Sequence, residues 1–378
     1  PHATQMMLDD EQTAYRMAFA SIRGMNRLLA EDLIRKLGSE QAFFQAEESR
    51  LRYITSSRSR IYSASHRAEA LAKARAELDF VKRNSISAIY HSDPGYPPML
   101  RLCDDAPLML YGLGSADLAA PRVLAVVGTR HATPYGISFT DRLIEDLAAA
   151  MPGLIIVSGL AYGIDIAAHR AALRHGLPTV AVLAHGLHTI YPAEHRSTAV
   201  EIVRNGGMLL SEYRSDEPVH KGNFVARNRI VAGMSHALLV VESAEKGGAL
   251  ITAGLAADYG RDVFALPGRI SDPVSAGCNR LIAACAASLV RSADDICQAM
   301  NWPASSPALD ATPASLPIPM NIDEETIVKF LGDNEDASVS QITAATGMPA
   351  GKLMSLLIDM EFRNLILALP GGRYRALI

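Results

Sequence analysis

The chain has 378 residues, with 36 Lys and Arg against 40 Asp and Glu, a formal net charge of −4, and 49 % hydrophobic and 20 % charged residues. These proportions exclude a disordered or fibrous chain. The negative balance also excludes a protein that grips polyanions by bulk charge, so a nucleic-acid site would have to be local. The length predicts two or three domains. No apolar run reaches the roughly 18 residues that a membrane helix needs. Pro1 to Glu11 lacks a charged flank followed by an apolar stretch, so no signal peptide is expected. Cys103, Cys278, Cys285 and Cys297 show no C-x-x-C spacing. Neither disulfides nor a zinc site is therefore expected, and a reducing cytoplasm is the expected compartment.

Residues 1–90 carry 14 basic and 11 acidic side chains and read as a small helical domain. Ala18, Ile22, Met25, Leu28, Leu29, Leu33 and Leu37 recur near helical spacing, with Gly24 and Gly38 as breaks, and Arg67–Arg83 is a second helical stretch. Ser21–Asn26 is reminiscent of a helix-hairpin-helix turn, with Asn26 where that motif has its second glycine. Nonspecific helical packing is the other reading of this segment. Asp93 to Gly112 is rich in Pro and Gly and reads as irregular.

From Val123 the rhythm becomes β-α. The predicted strands are Val123–Val127, Leu154–Val157, Thr179–Leu183, Met208–Leu210, Ala237–Val241 and Asp262–Ala265. Helical stretches at Ile137–Ala150, Asp165–Arg174, Glu194–Arg204, Phe224–Val231 and Leu250–Tyr259 separate them. Alternation of this kind predicts an α/β fold, a doubly wound parallel sheet of extended Rossmann-like type over residues 91–302. Five prolines in 303–319 predict a linker over 303–320. Residues 321–378 read as helix, turn, helix and a β-wing, a winged-helix-like domain. With 5 basic and 8 acidic residues it is ill suited to reading a duplex. Protein contact or regulation is the expected role.

Open parallel sheets bind ligands beyond the C-terminal strand ends. The first predicted strand ends in Val127-Gly128-Thr129-Arg130, which offers close backbone approach and a phosphate fork. The absence of G-x-G-x-x-G disfavours NAD. Ser158-Gly159-Leu160-Ala161-Tyr162-Gly163 precedes a helix and reads either as a phosphate cradle or as a tight turn. Lys221–Arg229 holds Lys221, Phe224, Arg227, Asn228 and Arg229. Interleaved cations and a ring suit single-stranded nucleic acid, where charges track phosphates and the ring stacks a base. Taken alone, the segment reads rather as a solvated basic helix start with Phe224 in the core. Gly247-Gly248 before a helix is a second anion-binding candidate. These segments all follow strands, so the fold brings them to one edge of the sheet.

Other chemistry lacks its parts. Asp165 and His169 sit at i, i+4, which is metal-ligand spacing, but no further ligand completes a site and a hydrogen-bonding role is expected. His185, His188 and His195 have no acidic or thiol partner. G-x-S-x-G and G-x-x-x-x-G-K-[ST] are both absent.

The run Ser158–Asp165 followed by Ala168-His169-Arg170 resembles the signature of the DprA/Smf DNA-processing proteins. So do Val127–Arg130 with Tyr135-Gly136, Ser211-Glu212-Tyr213, Phe224-x-x-Arg227-Asn228-Arg229-Ile230, Gly247-Gly248-x-Leu250-Ile251-Thr252-Ala253 and Leu266-Pro267-Gly268. Upstream, Tyr96-Pro97-x-x-Leu100 and Pro107-x-x-Leu110-Tyr111 fit as well, and the likeness spans about residues 90–295. The resemblance implies a Rossmann-like domain that dimerises and binds single-stranded DNA without catalysis, cofactor or metal. It also implies protection of incoming DNA in natural transformation and loading of a RecA-type recombinase. By motif position, Arg130, Lys221, Arg227 and Arg229 would meet phosphates, with Asn228 beside them. Phe224 would stack a base, and Ser158, Gly159, Gly247 and Gly248 would supply contacts from their turns. The alternative is a nucleotide-processing phosphoribohydrolase of the lysine-decarboxylase-like Rossmann family. That family's P-G-G-x-G-T and following carboxylates have no counterpart in Gly247–Leu255.

Overall fold

The computed structural model describes residues 2–55, 59–303 and 320–377 apart from 333, 335, 364, 370 and 371, with side chains from residue 10 onward. The chain divides into two compact units, residues 1–307 and 308–378. Most of the expected 303–320 linker, and Pro370-Gly371 of the expected wing turn, lie outside the described residues.

The first unit opens with helices α1 (His2–Ser21), α2 (Arg27–Leu37), α3 (Glu40–Gln45), α4 (Glu48–Thr55) and α5 (Ala64–Arg83). Gly24 takes φ +93°, which L side chains resist, and Asn26 caps α2 by accepting from the Leu29 N–H at 2.9 Å. Ala18, Ile22 and Leu33 of the expected apolar stripe are buried, whereas Leu28 is exposed. The helices share a core with Tyr90, Met109 and Tyr111, which belong to two strands, β1 (Ser87–Tyr90) and β2 (Met109–Gly114). The short helix α6 (Pro98–Arg101) lies between them.

The segment read as irregular thus contains a strand. Gly112 and Gly114 disguise β2. A Cβ on Gly112 would lie 2.9 Å from Met208 Sδ, and Gly114 has φ +132° against the backbone of Gly207. Glycine stands there because a neighbouring strand passes too close for a side chain.

The remaining strands are β3 (Val123–Val127), β4 (Ile155–Ser158), β5 (Thr179–Val182), β6 (Met208–Ser211), β7 (Ala237–Val240), β8 (Asp262–Ala265) and β9 (Ser288–Leu289). They form a nine-stranded sheet in the order β1-β2-β6-β5-β4-β3-β7-β8-β9. It is parallel from β6 to β9 and antiparallel at β1-β2-β6. Helices α7 (Pro134–Ala150), α8 (Ile164–Arg174), α9 (Arg196–Arg204), α10 (Lys221–Ala226), α11 (Asn228–Met234), α12 (Gly248–Asp258), α13 (Ala276–Ala283) and α14 (Ala293–Ala299) complete the unit. Burial on both faces explains the unbroken apolar strands. Val123, Ala125 and Val127 face a core shared with Ile230, Val231 and Ala253, while Leu124 and Val126 face Leu143, Leu147 and Ala168.

The second unit packs α15 (Ile322–Gly332), α16 (Val339–Thr346) and α17 (Ala350–Phe362) against a small sheet of β10 (Ala337–Ser338), β11 (Ile366–Leu369) and β12 (Arg373–Ala376), ordered β10-β12-β11. Ser338 and Gln341 form a capping box at α16, and Gly347 ends that helix in the left-handed region. Ile327, Ile342, Leu353, Leu357 and Met360 make its core. This is the expected helix-turn-helix with a wing.

Candidate functional site

The strand order reverses at β3. The chain runs β3, β4, β5, β6 to one side, then returns to place β7 on the other. Crevices form at such reversals, outside the carboxyl ends of the strands. A cavity of about 260 Å³ opens there. Its walls come from the β3 end (Gly128, Thr129, Arg130), the β7 end with the start of α12 (Ser243, Ala244, Gly247, Gly248) and the α10–α11 junction (Phe224, Arg227, Asn228).

The floor is held by close backbone contacts. Thr129 donates to Glu242 O at 2.7 Å, and Ile164 donates to Thr129 O at 3.1 Å. A Cβ on Gly128 would lie 2.5 Å from Ile164 Cγ1. Gly163, at φ +76°, faces the backbone of Thr129 and Arg130. The glycines of both loops therefore let two strand ends touch. The buried Glu242 carboxylate turns away from the cavity and accepts from the Thr133 N–H at 2.9 Å and from the Thr133 hydroxyl, which fixes the start of α7.

Phe224 stands at the mouth, half-buried. Arg130 reaches over its ring at 6.0 Å from the centroid, and the Tyr191 ring meets it edge-on at 5.5 Å. Arg130 and Lys221 are exposed, and among the described residues neither makes an ion pair. Two unneutralised cations beside a half-exposed ring suit a chain of phosphates with accessible bases.

Several expected contact residues serve the protein instead, and their roles are corrected here. Arg227 is 4 % exposed; its Nη1 donates to Gly159 O at 2.7 Å and to Val182 O, and its Nε donates to Asn228 Oδ1 at 3.3 Å. Its guanidinium fastens the ends of β4 and β5 under the cavity and is not a free phosphate fork. Ser158 is fully buried and its hydroxyl donates to Val126 O at 2.6 Å. The Gly159 N–H is engaged by Asp165 Oδ2 at 3.2 Å. Ser158 and Gly159 of this turn are thus engaged within the protein. Arg229 points elsewhere. It pairs with Glu212 at 2.5 Å in a second cavity of about 530 Å³, between the α1–α2 turn and the β2 and β6 ends.

Gly247 and Gly248 do line the first cavity, where Gly247 is the N-cap of α12 without a side-chain cap, and open space lies where a Cβ on Gly248 would be. Sequence reasoning missed Tyr191, which comes from the long β5–α9 loop and carries no local signal. Thr129 and Ser243 were within reach of the strand-end rule.

Asp165 and His169 have the hydrogen-bonding role expected. Burial pushes the Asp165 carboxyl up, opposed by the Arg227 charge. His169 Nδ1 lies 2.7 Å from Thr179 Oγ1, whose own proton goes to Ile156 O at 2.7 Å. Nδ1 must therefore donate, which leaves the buried Nε2 lone pair without a partner among the described residues. Burial, with the nearby Arg227 charge, pushes His169 down to about 3. No group of three His, Cys, Asp or Glu among the described residues could hold a metal ion. No helix among them is long and apolar enough to cross a membrane.

Residues 87–301 match the family model described as DNA recombination-mediator protein A. The chain belongs to that family. Residues 310–372 match a second model, the DprA winged helix domain. Protein Smf of Escherichia coli K12 is 37 % identical over 289 residues, 74 % of this chain and 75 % of its own length. DNA processing protein DprA of Streptococcus pneumoniae is 40 % identical over 223 residues, 59 % of this chain and 76 % of that protein. A crystal structure of Streptococcus pneumoniae DprA superposes with a TM-score of 0.64 at 32 % identity, over 76 % of this chain and 97 % of that one. The DprA of Helicobacter pylori, described for its single-stranded DNA binding mode, superposes with a TM-score of 0.51 at 30 % identity, over 57 % of this chain and 95 % of that one. The expected membership and fold class are both borne out.

Proposed function

We propose that this chain binds single-stranded DNA along the β3–β7 crevice, shelters the strand during DNA uptake and hands it to a RecA-type recombinase, acting as a homodimer in the cytoplasm without catalysis. In this reading Arg130 and Lys221 meet phosphates, Phe224 stacks a base, and Asn228, Gly247 and Gly248 line the path. Residues 91–302 are the DNA-binding module, and 321–378, joined to it by 303–320, serves protein contact or regulation. The observation that carries the reading is the half-buried Phe224 ring with Arg130 over it, a cation without an ion pair among the described residues, at the mouth of the crevice where the strand order reverses. Family membership and the described DNA binding of the Helicobacter pylori relative support it.

The phosphoribohydrolase alternative is weaker. Glycosidic cleavage uses an acid and a second carboxylate. Among the described residues that line the cavity Asp165 is the one carboxylate, and it is buried and bonded to Gly159.

The test is a salt titration of binding to single- and double-stranded oligonucleotides. Single strands should bind more tightly, with affinity falling as salt rises because phosphate contacts release counterions. Phe224→Ala should lose about 1–3 kcal/mol of binding at unchanged salt slope. Equal affinity for duplex, or no binding, would overturn the reading.

A further inference from the structure

Tyr191 is 54 % exposed, and its hydroxyl makes no hydrogen bond among the described residues. Its backbone is nonetheless held. The Tyr191 N–H donates to His185 Nε2 at 3.3 Å, and His185 is buried, with Nδ1 at 2.9 Å from Gly186 O. An anchored backbone thus presents a bare ring to solvent. The ring contributes little to the core, yet it lies 5.5 Å from Phe224 with the two planes inclined at 67°.

Resting on the reading above, we propose that Tyr191 is a second base platform of the same groove, and that its angle to Phe224 is what rejects duplex. Every base has a π-face, so an exposed ring stacks bases without regard to sequence. A base flat on Phe224 and its neighbour flat on Tyr191 would lie in planes about as inclined as the two rings. Consecutive bases of a duplex are nearly parallel, about 3.4 Å apart along each strand. A strand can occupy both rings only by unstacking between them, and a paired strand cannot do so without breaking base pairs. Selectivity for single strands would thus reside in one interplanar angle, with no steric gate needed.

The test measures binding of fluorescent oligothymidylate and of a matched duplex to the full chain and to Tyr191→Ala, Tyr191→Phe, Phe224→Ala and the Tyr191→Ala/Phe224→Ala pair. Tyr135→Ala is the control: that tyrosine is also exposed but lines a different cavity, with its hydroxyl donating to Pro267 O at 3.0 Å. Tyr191→Ala should weaken single-strand binding roughly 5- to 150-fold at unchanged salt slope, which is the stacking of one base. Tyr191→Phe should restore it and Tyr135→Ala should leave it alone. The preference for single strands over duplex should shrink in Tyr191→Ala. If Tyr191 holds its own base, its loss persists when Phe224 is already alanine. Loss of the effect in that background would mean that Tyr191 merely props Phe224, and the proposal would fall. Unchanged affinity in Tyr191→Ala, or an equal loss in Tyr135→Ala, would overturn it too. Failure of the unaltered chain to bind oligothymidylate would instead sink the DNA-binding reading itself.

Discussion

Arg227 and Gly159 fit each other as bolt and plate. The Arg227 guanidinium donates to Gly159 O at 2.7 Å, and a Cβ on Gly159 would lie 2.5 Å from three of its atoms. Because the guanidinium is pinned to Val182 O and Asn228 as well, it cannot swing aside. Gly159→Ala should therefore destabilise the protein by about 1–3 kcal/mol through overpacking. Arg227→Ala leaves buried carbonyls without donors and should cost about 2–4 kcal/mol. Urea denaturation followed by circular dichroism measures both. An Arg227→Ala protein of unchanged stability would show the bolt to be unnecessary.

Arg130 and Lys221 behave oppositely. Both are exposed and without ion pairs among the described residues, so replacing either with alanine should leave the urea midpoint unmoved. The slope of log affinity against log salt should fall by roughly 0.7 for each, the share of one single-strand phosphate. Stability loss without any slope change would reverse the assignment.

Arg229→Ala separates the second cavity from the first. Removing this partner strands the largely buried Glu212 carboxylate, which burial already pushes up. A loss of about 2–4 kcal/mol of stability is expected, with the salt slope of DNA binding as in the unaltered chain. A slope reduced as for Arg130→Ala would put Arg229 back among the phosphate contacts.

His169 supplies an acid-sensitive element. Its folded value lies near 3, below its ordinary 6.5. Between those values the unfolded chain binds the proton and the folded chain does not, so stability rises with pH through that window and is lost as pH falls from about 6.5 towards 3. The contribution is at most about 5 kcal/mol. His169→Asn keeps a donor to Thr179 but does not titrate. Its urea midpoint plotted against pH should fall less steeply over that window. Parallel curves for the two proteins would show that another group governs the acid transition.

The β-α rhythm from Val123 onward was legible because strands buried on both faces must be continuously apolar, whatever their neighbours. All six of those strands pair in parallel in the folded chain. Local sequence also placed Gly128, Gly247 and Phe224 near strand ends, hence near one edge. It hid β2, because Gly112 and Gly114 answer to Met208 and Gly207, residues far along the chain.

Local sequence could not sort Arg130 from Arg227 either. Both are arginines beyond strand ends, and only the packed fold leaves one in solvent and bonds the other to Gly159 and Val182. Residue type determines what a side chain can bind. Whether it is free to bind a ligand depends on which carbonyls and carboxylates the fold has already brought within hydrogen-bond reach, and those come from distant segments. The same holds for Tyr191, which meets Phe224 only because the β5–α9 loop and α10 converge at one rim.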